Sequence, residues 1–260
     1  MVEQPGTDAS DLRVPQRQLP LALAALHRSL MPDDHVTLVV HPHHGDGPRW
    51  APDDLAPVLA GAGFGVVGLT VSGSAIVAGA TRLRTLPDVV GPSMRVLICG
   101  LNPSIYSADR GVGYARPGNR FWPAALDAGL VQRDRDPLHA LKACGVGMTD
   151  LVKRATVGAA ELTADEYREG AARVERLVRW LRPDVVCFVG LAGWRAAFDT
   201  RAVAGPQPEP FGGQPSYVMP STSGLNAHAS RAALAAHLAA AAGLAGPEAA
   251  DLASPAASLR

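Results

Sequence analysis

Residues 94–104 read MRVLICGLNPS. Val96, Leu97, Ile98 and Cys99 make an unbroken apolar run, the pattern of a strand buried on both faces. Gly100 ends the run, and Asn102 before Pro103 opens a loop, a position that asparagine favours. Downstream, GVGMTDLV (145–152), DVVCFVG (184–190) and SYVMP (216–220) read as three more buried strands. Helices separate them. NRFWPAALDAGL (119–130) has Asn119 as candidate N-cap and Gly129 as its stop. In TADEYREGAARVERLVRWL (163–181), Thr163 and Glu166 make a capping box, and Tyr167, Ala171, Val174, Val178 and Leu181 form one apolar stripe. LAGWRAAF (191–198) and an alanine-rich stretch to Gly243 read as further helices, and LNPSIYSADRGVGYARPG (101–118) as a loop. Strands alternating with helices predict a parallel sheet covered on both faces. Ligands of such sheets sit at the carboxyl ends of the strands, where the loops after the first and last strands emerge.

Upstream, residues 1–18 are polar with scattered glycine and proline and are expected to lack order. LPLALAALHRSL (19–30) predicts a helix, HVTLVV (35–40) a strand, and APDDLAPVLAGAGF (51–64) a helix stopped by glycines. GVVGLTVSGSAIVAGATRL (65–83) predicts two strands around a Ser-Gly-Ser turn. This order resembles the C-terminal half of a class I methyltransferase. The glycine-rich cofactor loop of that family should lie upstream and is missing, so the block reads as a degenerate module without a cofactor site. TLPDVVGPS (85–93) is the candidate linker. The expected division is 1–18 disordered, 19–93 small α/β module and linker, 94–243 main domain, and 244–260 flexible tail. Removing residues 1–93 is expected to leave the main domain's activity largely intact.

Composition narrows the classes. The chain has 260 residues, 24 basic and 24 acidic, and 47% hydrophobic content, which excludes a wholly disordered chain. No apolar run approaches the ~18 residues of a membrane span, and the N-terminus lacks the pattern of a signal peptide. Three widely spaced cysteines exclude a disulfide scaffold and a CxxC pair. A reducing, cytoplasmic setting is expected. Residues 1–93 hold 6 basic and 9 acidic side chains, net −3, and residues 94–243 hold 17 and 13, net +4. A basic second half permits a polyanionic partner. His41-Pro42-His43-His44 with Asp46 has metal-ligand types, but lies in a Pro- and Gly-bearing loop with no second ligand set. No metal is expected.

Three blocks carry a family likeness: GLNPS (100–104), YARPGNRFW (114–122) and MPSTSGLNAH (219–228), with TDLVKRAT (149–156) between. In this order and spacing, residues 94–243 resemble the mismatch-specific uracil-DNA and thymine-DNA glycosylases of the uracil-DNA glycosylase superfamily. The resemblance implies a three-layer α/β/α sandwich that removes uracil from DNA without metal or cofactor. It also implies double-stranded DNA with G:U or related lesions as partner, no membrane, and a monomer acting near the nucleoid.

Base excision asks for four devices. The nucleotide must leave the stack and its place be filled; the resemblance gives Leu225 as an apolar wedge, with backbone groups of Gly224 and Asn226 toward the orphaned guanine. The flipped base needs a pocket, for which Tyr114 is the stacking aromatic and Leu101, Ser107 and Asp150 are further lining residues. Water must be placed at the anomeric carbon, the role implied for Asn102. An amide oxygen orients water but is no base, so turnover should be slow. DNA phosphates need donors, and Ser221, Thr222 and Ser223 stand at the mouth of the last strand, with His228, Arg116 and Arg120 as further candidates.

Two departures leave base preference open. Asp150 stands where relatives carry Asn or Lys, and Ala227 replaces an arginine. Lys142 and Lys153 match no Schiff-base role and are expected as solvated surface residues, which implies a monofunctional enzyme. Phe121, Trp122, Trp180 and Trp194 are expected in the core. Two other readings stay open: a protein that flips damaged bases without cleaving them, and a methyltransferase.

Overall fold

The chain builds two sheets from two consecutive stretches, and the computed structural model describes them over residues 9–41, 50–226 and 228–246. The first stretch comprises β1 (Ala9–Leu12), α1 (Leu19–Ser29), β2 (His35–Val40), α2 (Pro52–Gly61), β3 (Phe64–Ser72) and β4 (Ala75–Arg82), in sheet order β1-β2-β4-β3. The β3–β4 hairpin turns at Gly73, whose φ of 61° suits glycine. Leu23, Leu38, Leu55, Leu59 and Phe64 fill the core between this sheet and its two helices.

One expectation is corrected here. Residues 9–18 are ordered: β1 pairs in parallel with β2, Ala9 opposite Thr37 through Leu12 opposite Val40. Four residues are too few to show a period, and this strand is fixed by its partner. The loop with His43, His44 and Asp46 lies outside the described residues, as do residues 1–8, Ala227 and 247–260.

The second stretch carries β5 (Val96–Gly100), β6 (Val146–Asp150), β7 (Val185–Val189), β8 (Gly205–Pro206) and β9 (Ser216–Met219). Their order is β6-β5-β7-β9-β8, all parallel except β8, a two-residue antiparallel edge. The helices are α3 (Ile105–Arg110), α4 (Phe121–Asp127), α5 (Pro137–Cys144), α6 (Ala164–Leu181), α7 (Leu191–Ala197) and α8 (Arg231–Ala242). Strand alternation sorts the core into two layers. Val96 and Ile98 of β5 meet α4, α5 and α8 side chains, while Leu97 and Cys99 meet those of α6 and α7. The result is a three-layer α/β/α sandwich. Phe121 and Trp122 are fully buried, as expected, and replacing Trp122 by alanine would cost about 3–5 kcal/mol.

Caps define the helices. Thr163 Oγ1 accepts from Glu166 N at 3.2 Å, and Glu166 Oε2 accepts from Thr163 N at 2.9 Å, which completes the capping box at α6. The N-cap of α4 is Arg120 rather than the expected Asn119, whose Oδ1 accepts from Phe121 N at 2.9 Å one residue earlier, and Gly129 follows the helix end at φ 64°. Helices α3 and α5 were not expected. Both are under nine residues, too short for a hydrophobic period, and their caps specify them. Ser104 Oγ accepts from Ser107 N at 3.2 Å at the start of α3. Asp136 accepts from His139 N at 2.9 Å before Pro137 at the start of α5, and Gly111 and Gly145 end the two helices at φ 65°.

The segment 85–93 is not a free linker. Residues 85–91 are buried, and Val89 exchanges two 2.9 Å backbone bonds with Met148, covering the open edge of β6. Asp88, 3% exposed, binds Lys153 Nζ and Arg173 Nη1 at 2.8 Å each and Thr149 Oγ1 at 2.7 Å. Lys153, its side chain 12% exposed, is therefore a largely buried ion-pair partner and not a solvated surface residue. Burial pushes the Asp88 carboxyl up, and Arg173 and Lys153 outweigh it, so its pKa lies below the ordinary value. Cutting at residue 93 would strip Asp88, Val89 and Val90 from the main core, contrary to the expectation that residues 1–93 are dispensable. Trp50 and Trp180, edge to face at 4.9 Å, and the Arg84–Asp109 pair at 2.7 Å make further contacts between the halves. No described helix is long and apolar enough to cross a membrane.

Candidate active site

A cavity of about 280 Å³ opens at the carboxyl edge of the second sheet, bordered by Asn102, Tyr114, Asp150, Ser221 and Leu225. That size lies near the lower end of the ~300–1,000 Å³ typical of small-ligand sites. A larger cavity of about 820 Å³ opens at the opposite edge, near Arg95, Lys142 and Arg182, away from the candidate catalytic, base-pocket and DNA-binding residues.

Asn102 is oriented by its donors. Nδ2 donates to Thr156 Oγ1 at 2.7 Å, to the Arg154 carbonyl at 3.0 Å and to the Pro103 carbonyl at 3.2 Å. Carbonyls only accept, and the Thr156 hydroxyl spends its hydrogen on the Gly158 carbonyl at 3.0 Å. The amide nitrogen must therefore face Thr156, which leaves Oδ1 as the acceptor for a water.

Tyr114 stacks on Phe121, centroids 4.1 Å apart and rings 19° from parallel. Phe121 thus occupies one ring face, and Tyr114 lines the cavity. Its backbone has φ 57°, a left-handed conformation that costs a bulky residue energy and is typical of functional loops. Ser107 fixes this loop: its Oγ accepts from Ala115 N at 3.3 Å, while its own N–H is taken by Ser104. Trp122 Nε1 donates to the Gly113 carbonyl at 2.8 Å. Leu101 lines the cavity and packs over Gly190 and Gly193 of the β7–α7 junction, where a Cβ on Gly193 would collide with it.

Asp150 ends β6 in register with Gly100. A Cβ on Gly100 would collide with Asp150 Oδ1 and lie 3.0 Å from Tyr114 Oη, so only glycine fits with both groups in place. Burial raises the Asp150 pKa to about 6 against the pull of Lys153. Tyr114 Oη is buried without a hydrogen-bond partner among the described residues, and burial pushes its pKa well up.

The loop after β9 is braced from below. Arg120 donates to the carbonyls of Ser223 at 2.8 Å, Asn226 at 2.5 Å and Ala229, and its backbone N–H bonds the Thr222 carbonyl at 2.9 Å. Arg120 is thus a brace and not a phosphate ligand. Thr222 is 1% exposed, so its hydroxyl cannot meet a phosphate either. Ser221 and Ser223 accept from backbone N–H groups, which leaves both hydroxyl hydrogens free to donate. Leu225 is 87% exposed at the tip and is no buried anchor. Asn226 has both backbone groups engaged, N–H to Ser223 and C=O to Arg120. Gly224 lies against the backbone of Gly118, where a Cβ would sit 2.9 Å from its carbonyl oxygen. Arg116 and His228 are exposed nearby.

Sequence reasoning missed Thr156 and Leu86. Thr156 lies 54 residues from Asn102, and only its place within the TDLVKRAT block hinted at a role. Leu86 reaches the cavity wall from the supposed linker and gave no signal at all.

Among solved structures, the chain is similar to a candidate uracil DNA glycosylase from Methanosarcina acetivorans, determined by NMR in solution. The two share 22% identity at a TM-score of 0.45, over 62% of this chain and 97% of that one. The family model of the uracil DNA glycosylase superfamily matches residues 87–243, the stretch that builds the second sheet and the buried Asp88 network. The chain belongs to the uracil DNA glycosylase superfamily.

Proposed function

We propose that the chain is a monofunctional DNA glycosylase that hydrolyses the N-glycosidic bond of uracil in G:U mismatched duplex DNA. One observation carries the reading: Asn102, with its amide nitrogen held on Thr156, Tyr114 and the exposed Leu225 border one cavity. Leu225 enters the stack as the nucleotide leaves, and the Ser221 and Ser223 hydroxyls hold the backbone. The extruded base stacks on Tyr114. Asn102 Oδ1 orients a water toward the anomeric carbon, where oxocarbenium character lets a weak but well-placed nucleophile succeed. No amine stands ready for a Schiff base: Lys153 is bound to Asp88, and Lys142 lies at the opposite edge of the sheet. The product is an abasic site in an uncut strand.

The test is base release from end-labelled duplexes carrying G:U, A:U, G:T or G:hypoxanthine, and from single-stranded uracil, read after alkali. Cleavage of G:U above A:U, with intact strands before alkali and steep loss in Asn102→Ala, is the expected result. Folded protein that binds mismatched DNA but releases no base would replace this reading with that of a damage-binding protein.

A further inference from the structure

The larger cavity, about 820 Å³, opens where the strands of the second sheet begin. Arg95, Gly145 and Asp184 border it, and each stands one residue before a strand, β5, β6 and β7 in turn. Asn102 lies past the far end of β5, and a five-residue strand spans about 16 Å. The backbone of this rim is fixed: Arg95 N donates to the Gly145 carbonyl at 2.8 Å, and Asp184 N to the Met94 carbonyl at 3.0 Å. Leu21 and Ala22 of α1 supply one part of an apolar lining, and Met94, Leu141 and Cys144 of the second stretch supply another. Three cations, Arg95, Lys142 and Arg182, also border the cavity, against one carboxylate, Asp184. None of the three has an ion pair or a side-chain hydrogen bond among the described residues, and Arg95 Nε is buried without a partner. A buried donor left unmade is costly, so this one calls for an acceptor. Arg182 caps α6 at φ 53°, a left-handed position that glycine takes most easily, yet a cation stands there. No aromatic side chain is among the described residues that border the cavity, so a nucleobase finds no stacking platform.

We propose that this cavity binds a small amphipathic anion, its aliphatic body against Leu21, Met94 and Leu141 and its carboxylate or phosphate head on Arg95 and Arg182, with Lys142 adding charge. Guanidinium forks match both kinds of oxygen acid. The volume lies within the ~300–1,000 Å³ of small-molecule sites. The ligand touches α1 and the start of the sheet together, so it joins the two stretches of the chain. The inference makes no use of the glycosylase reading, because the two cavities share no residue.

Octanoate, octyl phosphate, octanol and inorganic phosphate are titrated calorimetrically against the full chain. At least one of the two amphipathic anions is expected to bind one to one, about tenfold or more tighter than octanol and than inorganic phosphate; the tighter of the pair identifies the head group. Arg182→Gly suits the backbone at φ 53°, and Lys142→Gln changes an exposed side chain, so both variants keep the fold. Their combination is expected to lose about tenfold or more in affinity for the tighter anion, and Arg95→Gln a similar factor. Octanol binding as tightly as octanoate would make the cavity an apolar sink, and inorganic phosphate binding as tightly as octyl phosphate would make it a plain anion site. Either result overturns the inference. So does an affinity unchanged in the double variant, or no binding of either amphipathic anion at millimolar concentration.

Discussion

The loop after β5 turns Asn102 and Ser107 inward onto partners, whereas the loop after β9 carries an 87% exposed leucine at its tip. In the first, Asn102 has three acceptors for its amide and Ser107 is 3% exposed. In the second, the backbone is anchored and Thr222 is buried, while Leu225 faces outward. One residue ties the two together: Arg120, at the end of the first loop, holds three carbonyls of the second. The contrast fits the tasks proposed for the two loops. Positioning a water needs a side chain with no freedom left, while filling a vacated base stack needs an apolar group that meets no protein.

Breaking the tie should have the largest effect. Arg120→Ala leaves three carbonyls without their donor, and hydrogen bonds to charged groups contribute ~1.5–3 kcal/mol each. A loss of about 3–4 kcal/mol in urea unfolding is expected, together with lost cleavage of G:U duplexes. Unchanged stability would show that the two loops stand independently. The floor between them gives the next effect. The Asp150 pKa is raised from 3.8 to about 6, so the folded state keeps its proton where the unfolded chain has released it. Stability is therefore lost as pH rises from about 4 to 6, and the full cost stays above 6. Asp150→Asn should gain stability over the parent by about 3 kcal/mol at pH 8 and by almost nothing at pH 4. Melts at the two pH values check this, and an equal difference at both would refute the buried charge.

Two smaller effects separate the loops by kind. Asn102→Ala should lower kcat/KM on G:U by about 100-fold, since a misplaced nucleophile costs that much, with duplex affinity unchanged. A loss seen mainly in affinity would move Asn102 from water placement to binding. Leu225→Ala should cost about tenfold on duplex substrate and nothing on single-stranded uracil, with stability within ~0.5 kcal/mol of the parent. An equal loss on both substrates would take the wedge role from Leu225.

Local signals were enough for four of the five strands of the second sheet; the two-residue edge strand β8 carried none. Four apolar runs spaced by helices can only be buried between two layers, and the capping box at Thr163 and Glu166 needed no partner beyond three residues. The short helices α3 and α5 were missed because two turns hold too few apolar positions to mark a face. Strand β1 was missed because its order comes from pairing with β2. The buried segment 85–91 looked like a linker because proline and glycine mark a loop without saying what the loop covers.

By itself the sequence determined which residues gather at the carboxyl edge, because strand and loop order place Asn102, Tyr114, Asp150 and Leu225 at the ends of parallel strands. Tertiary structure alone decided how those residues are poised. The amide direction of Asn102 depends on Thr156, 54 positions away, and the charge of Asp150 depends on where Asp88 holds two cations. Hydrogen-bond direction and buried electrostatics are set by neighbours in space, and separation along the chain carries no record of them.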